Sequence, residues 1–165
     1  MKKIACSFAL LSIAIATTFG AHAEGEGLSA NNFYVGGGFG FNSLPGGGSA
    51  RGFQFLGGYE FDAKINDDIT TSLELGYMDS GDFDRYNGLS SNADATGMWF
   101  AAVESVPVSS RTDMLVRFGY DFGDDDGLLL GTGMQYKFNT KLGFRMEYVA
   151  RENVNSLQAN VVVKF

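Results

Sequence analysis

Phe33-Tyr34-Val35-Gly36-Gly37-Gly38-Phe39-Gly40-Phe41 decides the fold. Its odd positions are Phe33, Val35, Gly37, Phe39 and Phe41, and after Tyr34 every even position is glycine. A period of two marks an extended strand, because successive side chains point to opposite faces. One face of this strand is aromatic and the other nearly bare. The pattern recurs over Phe53 to Phe61, Ile69 to Met78, Met114 to Phe122, Leu130 to Phe138, Leu142 to Tyr148 and Leu157 to Phe165. In most of these runs an apolar phase opposes a phase richer in Gly, amides and charges. Thr96 to Val106 is the ambiguous member, since both of its phases are largely apolar. A carboxylate on a lipid face is unfavourable, so Glu104 argues for Trp99, Ala101 and Val103 pointing outward there.

Polar connections separate these runs: Ser43 to Gly48, Lys64 to Asp68, a long stretch from Ser80 to Ala95, Pro107 to Arg111, Gly123 to Gly127, Asn139-Thr140 and Glu152 to Asn155. Eight strands with seven such links predict an all-β, antiparallel up-and-down meander. Alternation alone leaves open which face is interior. Side-chain volume settles it, because an eight-stranded barrel has an interior just wide enough for its side chains to fill. The set Phe33, Phe39, Phe41, Phe53, Phe55, Tyr59, Phe61, Tyr77, Phe118, Tyr120, Phe122, Tyr136, Phe138, Phe144, Tyr148 and Phe165 would overfill it, whereas the Gly-rich face suits a crowded lumen. The aromatic face therefore looks into lipid. In lipid an antiparallel sheet has to close, and about 9 to 11 tilted residues span the bilayer.

With both termini in the periplasm, outward aromatics should mark two interfaces. The lower set is Phe33, Tyr59, Phe61, Tyr136, Phe138 and Phe165, and the upper set is Phe41, Tyr77, Trp99, Tyr120, Phe122 and Tyr148. This orientation makes Ser80 to Ala95 an extracellular loop and Asn139-Thr140 a periplasmic turn. Tyr59-Glu60-Phe61, Tyr136-Lys137-Phe138 and Val163-Lys164-Phe165 end three of the descending strands in the same way: apolar, inward charge, Phe.

The 165 residues include 23 Gly, 15 Phe, 1 Cys and 1 His, with 19% charged residues and a formal charge of −7. Met1-Lys2-Lys3, an apolar run from Ile4 to Ala16 too short to span a bilayer, and Ala21-His22-Ala23 read as a secretion signal cleaved after Ala23. Residues 24–165 are then the barrel domain. The signal carries both Cys6 and His22, so thiol chemistry, disulfides, imidazole catalysis and Cys/His metal sites leave with it. Cys6 sits at the start of the apolar run, which argues against acyl anchoring. Loss of Lys2 and Lys3 makes the remainder more acidic still, and nucleic acid is not an expected partner.

Phe33 to Gly40, Gly57-Gly58-Tyr59-Glu60-Phe61, Leu73-Glu74-Leu75-Gly76-Tyr77-Met78-Asp79, Gly143-Phe144-Arg145-Met146-Glu147-Tyr148 and the terminal Phe165 together resemble the OmpA-like and OmpX-like outer membrane β-barrel family. The resemblance runs over essentially the whole chain after the signal. It implies that Val161, Val163 and Phe165 are outward residues read by the outer-membrane assembly machinery. It also implies contact with outer membrane lipid and lipopolysaccharide. Because the sequence ends at Phe165, no peptidoglycan-binding domain or cell-wall tether of the OmpA-like kind is expected.

The inward phase places Glu60, Glu74, Glu104, Arg117, Lys137, Arg145 and Glu147 in the lumen. They form either a polar conduit or an ion-pair network that fills the barrel, and the narrow bore together with the need to pair buried charges favours the network. Glu74 with Arg117 or Arg145 is the preferred pairing. Asp79, Asp82, Asp84, Asp121 and Asp124-Asp125-Asp126 gather at the upper end, but their spacing matches no calcium loop and no metal site is expected. No catalytic set and no cofactor motif stands out. The expected function is that of a monomeric, non-enzymatic outer membrane barrel serving envelope integrity or surface interaction through Ser80 to Ala95. The alternative is a narrow porin-like channel.

Overall fold

The computed structural model describes residues 29–61, 69–84 and 94–165. The expected signal, the expected Lys64 to Asp68 connection and most of the stretch from Ser80 to Ala95 lie outside those residues. A short 3-10 turn, Ala30–Asn32, leads into eight strands: β1 (Phe33–Ser43), β2 (Ser49–Glu60), β3 (Thr70–Asp79), β4 (Thr96–Ser109), β5 (Thr112–Asp121), β6 (Gly127–Lys137), β7 (Leu142–Ala150) and β8 (Asn155–Lys164). Each pairs antiparallel with its neighbour, and β8 pairs with β1, so the sheet closes. Closure leaves no strand edge, as an apolar surround requires.

The register fixes the shape of the wall. Paired residues followed once round from Phe33 pass through Tyr59, Leu73, Ala102, Phe118, Leu130, Ala150 and Asn155 and arrive at Ser43, ten positions along β1. With strands about 4.8 Å apart and about 3.3 Å per residue, that offset tilts the strands by about 40°. Ten tilted residues then span about 25 Å, the height of the apolar band on a membrane barrel. Phe33 and Phe165 sit at one end, here the lower end, joined by a hydrogen bond from the Phe165 N–H to the Phe33 carbonyl at 3.0 Å.

The outer wall is apolar. Phe39 is 75% exposed and Phe118 is 57% exposed, and Phe41, Phe55, Leu75, Leu130, Met134, Met146 and Val161 share that face. Side chains of this kind remain exposed only where the surrounding medium is itself apolar.

Strands β1, β2 and β4 run further than hydrophobic alternation reveals. β1 and β2 continue to pair up to Ser43 and Ser49, through polar residues that carry no apolar signal. β4 extends through Pro107 to Ser109, with a register shift between those two residues. Above this, β3 pairs with β4 only as far as Ser105, so Pro107 removes no ladder bond on that side. The Asn139-Thr140 turn is closed by Asn139 Oδ1, which accepts from the N–H groups of Lys141 (2.8 Å) and Leu142 (2.9 Å).

The phase of β4 corrects the expectation from sequence. Trp99, Ala101 and Val103 point inward and are buried, while Met98 and Phe100 face outward. Glycine on the next strand makes the space: Trp99 lies opposite Gly76, where a Cβ would run into the indole ring. Tyr34 lies opposite Gly58 in the same relation. The interior is large enough for these two aromatics only because their cross-strand partners lack side chains. Glu104 shares the outward phase of Met98 and Phe100, so it lies on the outer wall and not in the lumen.

Candidate functional site: the barrel lumen and its two ends

Half-way up the lumen, three strands contribute four charges. Glu74 on β3 and Glu147 on β7 face Arg117 on β5 and Arg145, also on β7. Arg117 Nη2 donates to Glu74 Oε2 at 2.5 Å and to Glu147 Oε2 at 3.1 Å. Arg145 Nη1 donates to Glu74 Oε1 at 2.5 Å, and its Nε donates to Gln135 Oε1 at 2.9 Å. The Tyr34 hydroxyl donates to Glu74 Oε1 at 2.6 Å. Glu74 thus ties together three strands' worth of donors, and the two carboxylates balance the two guanidiniums. Arg117 also lies 4.7 Å from the Trp99 ring centroid and Arg145 lies 5.7 Å from that of Tyr34, so each cation faces the electron-rich side of an aromatic.

Above and beside this quartet, Gln54 Nε2 donates to Gln158 Oε1 (2.8 Å) and Asn160 Oδ1 (2.9 Å). Leu56, Met78, Trp99, Ala101, Leu129 and Val149 fill the gaps as one apolar cluster. Trp99, Arg117, Leu129 and Val149 are each 0% exposed, so the layer is packed shut.

The upper end is closed by a second polar set. Arg151 Nε donates to Asp121 Oδ2 at 2.9 Å, and Arg151 Nη1 donates to Ser156 Oγ at 3.0 Å. Ser156 in turn donates to Asn42 Oδ1 at 2.6 Å. Burial lowers the pKa of Arg151, which lies just past β7, against the upward pull of Asp121. Asp125 Oδ1 accepts from the N–H and Nδ2 of Asn153, and its Oδ2 accepts from the N–H of Val154. Those bonds pin Val154 over a small apolar cap with Ala50, Phe83 and Ala95. Asp79 and Asp124 likewise accept loop N–H groups, from Gly81 and Thr96. The carboxylates singled out at this end are therefore spent on loop geometry or, as with exposed Asp82, Asp84 and Asp126, face solvent.

The lower end opens into a polar cavity of about 190 Å³. Lys137 pairs with Asp113 at 2.8 Å and Lys164 with Glu60 at its mouth. Arg145, Tyr34 and Val103 are among its lining residues.

Of the residues proposed for the lumen, the structure brings Glu74, Arg117, Arg145 and Glu147 together and sets Glu60 and Lys137 apart at the mouth. Glu104 belongs elsewhere, accepting from Thr71 Oγ1 on the outer wall at 3.1 and 2.9 Å. Its depth explains this, since near an interface the cost of an outward charge falls toward zero. Sequence reasoning missed Tyr34, Gln54, Asp113, Gln158, Asn160 and Arg151. Each sits in the polar phase of its strand or at its end, but polarity there does not distinguish a lumen partner from a solvent-facing residue.

On the outer wall the lower aromatics Phe33, Tyr59 and Phe61 pack edge to face, at 4.8 and 5.3 Å between centroids, and Tyr136 meets Phe138 at 5.3 Å. At the upper end Tyr120 meets Phe122 at 5.1 Å, and Phe100 stacks on Phe122 at 5.7 Å. Phe41, Tyr77 and Tyr148 also face outward there. Phe100 therefore holds the place expected for Trp99. Val161, Val163 and Phe165 are all exposed on the outer face of β8.

Comparison with known proteins places this architecture. No curated protein matches the sequence. Among solved structures, a de novo designed transmembrane β-barrel aligns with a TM-score of 0.54 at 14% identity, over 82% of this chain and 96% of the design. The Yersinia pestis outer membrane protein Ail, in a phospholipid bilayer nanodisc, aligns at 0.53 and 14% identity over 80% of this chain and 99% of its own. Neisserial surface protein A aligns at 0.52 and 19% identity, over 85% and 100%. At these identities the likeness is one of fold. The model for the outer membrane protein beta-barrel domain matches residues 7–165. The closed eight-stranded wall agrees with that match, and the chain belongs to the outer membrane β-barrel protein family.

Proposed function

We propose that this protein is a closed, non-enzymatic barrel that serves envelope integrity or surface interaction through its upper loops. The observation that carries the proposal is the packed middle layer, in which Trp99, Arg117, Leu129 and Val149 have no exposed surface. A lumen sealed by an ion quartet and an apolar cluster supports a wall, not a conduit. The buried carboxylates Glu74 and Glu147 are engaged by guanidiniums, and no His or Cys follows residue 23, which supports a non-enzymatic role. In this proposal the mature chain begins after Ala23, works as a monomer and keeps both termini in the periplasm. Val161, Val163 and Phe165 then form the outward signal read during assembly.

Ail has been solved in complex with the heparin analogue sucrose octasulfate. Here the upper rim presents the exposed carboxylates Asp82, Asp84, Asp94, Asp124, Asp126 and Glu152, which favours a basic partner over a polyanion. Planar-bilayer recording of the refolded protein tests the closed reading. No stable unitary steps are expected. Steps that respond to neutralising Arg117 or Arg145 would instead establish the narrow channel.

A further inference from the structure

The lower aromatic girdle is broken. It covers β8, β1 and β2 with Phe165, Phe33, Tyr59 and Phe61, and resumes on β6 and β7 with Tyr136, Phe138 and Phe144. Over β3, β4 and β5 the lower outer wall carries no aromatic among the described residues. Thr71, Glu104 and Met114 occupy that sector. Glu104 is also the only charged side chain among the described residues facing outward between the two girdles.

Three features make this break a site. Both oxygens of Glu104 accept from Thr71 Oγ1 across the strand pair, so the carboxylate is held in place. No described Lys or Arg forms an ion pair with it. Directly above, Ala102 makes a dip in the wall between exposed Leu73 and Phe118, bounded above by Phe100. With the ten-position offset of the register included, Glu104 lies within about 5 Å of the level of Tyr59 and Phe144, where lipid headgroups begin. A fixed carboxylate at that depth attracts a cation, and the cation at hand is the headgroup amine of a phospholipid.

We propose that Glu104, held by Thr71, binds the primary ammonium of an ethanolamine phospholipid, whose acyl chains lie against the apolar wall above it. Choline offers a cation without N–H donors, and a glycerol headgroup leaves only the phosphate, which the carboxylate repels. The site rests on the placement of the wall in lipid and is independent of what the upper loops do.

Native mass spectrometry of the refolded protein, released from micelles doped with equal amounts of dioleoyl phosphatidylethanolamine, phosphatidylcholine and phosphatidylglycerol, tests it. The ethanolamine lipid should be retained about two- to fivefold over the choline lipid, the range an exposed ion pair supplies. Glu104→Gln, which keeps the shape, should abolish that preference, and Glu104→Lys should transfer it to phosphatidylglycerol. Heat-dependent gel mobility checks that each variant is folded, and either variant alone suffices. Equal retention by the wild type, or a preference that survives Glu104→Gln, overturns the proposal. Dimers that disappear with Glu104→Gln also overturn it, since the break in the girdle then belongs to a second copy of the chain.

Discussion

Replacing Glu74 by Gln removes one negative charge from the centre of the barrel and changes almost nothing else. The amide still accepts from Tyr34, but Arg117 and Arg145 are left to share Glu147, at 3.1 and 3.9 Å. Both guanidiniums and both carboxylates are buried, so solvent does not screen the imbalance. Breaking one partner out of a buried pair costs about 3 to 5 kcal/mol, and the retained Tyr34 bond puts Glu74→Gln near the low end, about 3 kcal/mol. With a urea dependence of about 2 kcal/mol per molar, the unfolding midpoint falls by about 1.5 M. Trp99 is the only tryptophan and sits against Arg117, so its emission reports unfolding of the refolded protein in vesicles directly. Glu74→Gln combined with Arg145→Gln restores the balance of charge, and the pair should couple by at least about 1 kcal/mol. A single variant within about 0.5 kcal/mol of wild type, or strict additivity in the double variant, would refute the view that these four charges act as one unit.

Three further outcomes are expected. Trp99 emission should be indifferent to bromine-labelled acyl chains, whereas Phe100→Trp in a Trp99→Phe background should be strongly quenched; quenching of Trp99 itself would return that side chain to the outer wall. Phe118→Arg, half-way up the lipid-facing wall, should lower stability in vesicles by about 2 to 4 kcal/mol, and a loss below 1 kcal/mol would argue that this face does not meet hydrocarbon. Asp125→Ala strands the N–H groups of Asn153 and Val154, a local cost of about 1 to 3 kcal/mol, and should speed limited trypsin cleavage after buried Arg151; an unchanged cleavage rate would show that Asp125 does not pin the cap.

Much of the wall is legible in the residues themselves because lipid and lumen impose opposite demands at alternate positions. Phe39, Phe55, Phe118 and Met146 announce the outer face, and the glycines between such residues announce a crowded inner one. Alternation carries no such signal where both phases of a strand are apolar. In β4 Glu104 points to the wrong phase because a carboxylate is taken to avoid lipid at every depth. Depth is a property of the closed, tilted barrel, and near the interface that penalty vanishes. Gly76 points to the inward phase of Trp99, but only once the register sets the two residues opposite each other.

Residue order alone sets the number of strands, the face each presents to lipid where alternation is clean, and the lack of imidazole and thiol after residue 23. Alternation suffices for this because a strand's two faces are fixed by backbone geometry alone. Closure of the barrel is what brings Glu74 to both Arg117 and Arg145, sets Arg151 against Asp121, and turns Trp99 into the lumen while Phe100 faces lipid. Those contacts join residues between 30 and 71 positions apart or depend on a neighbouring glycine. They follow from the ten-position offset at which the sheet closes on itself, a quantity that no single strand carries.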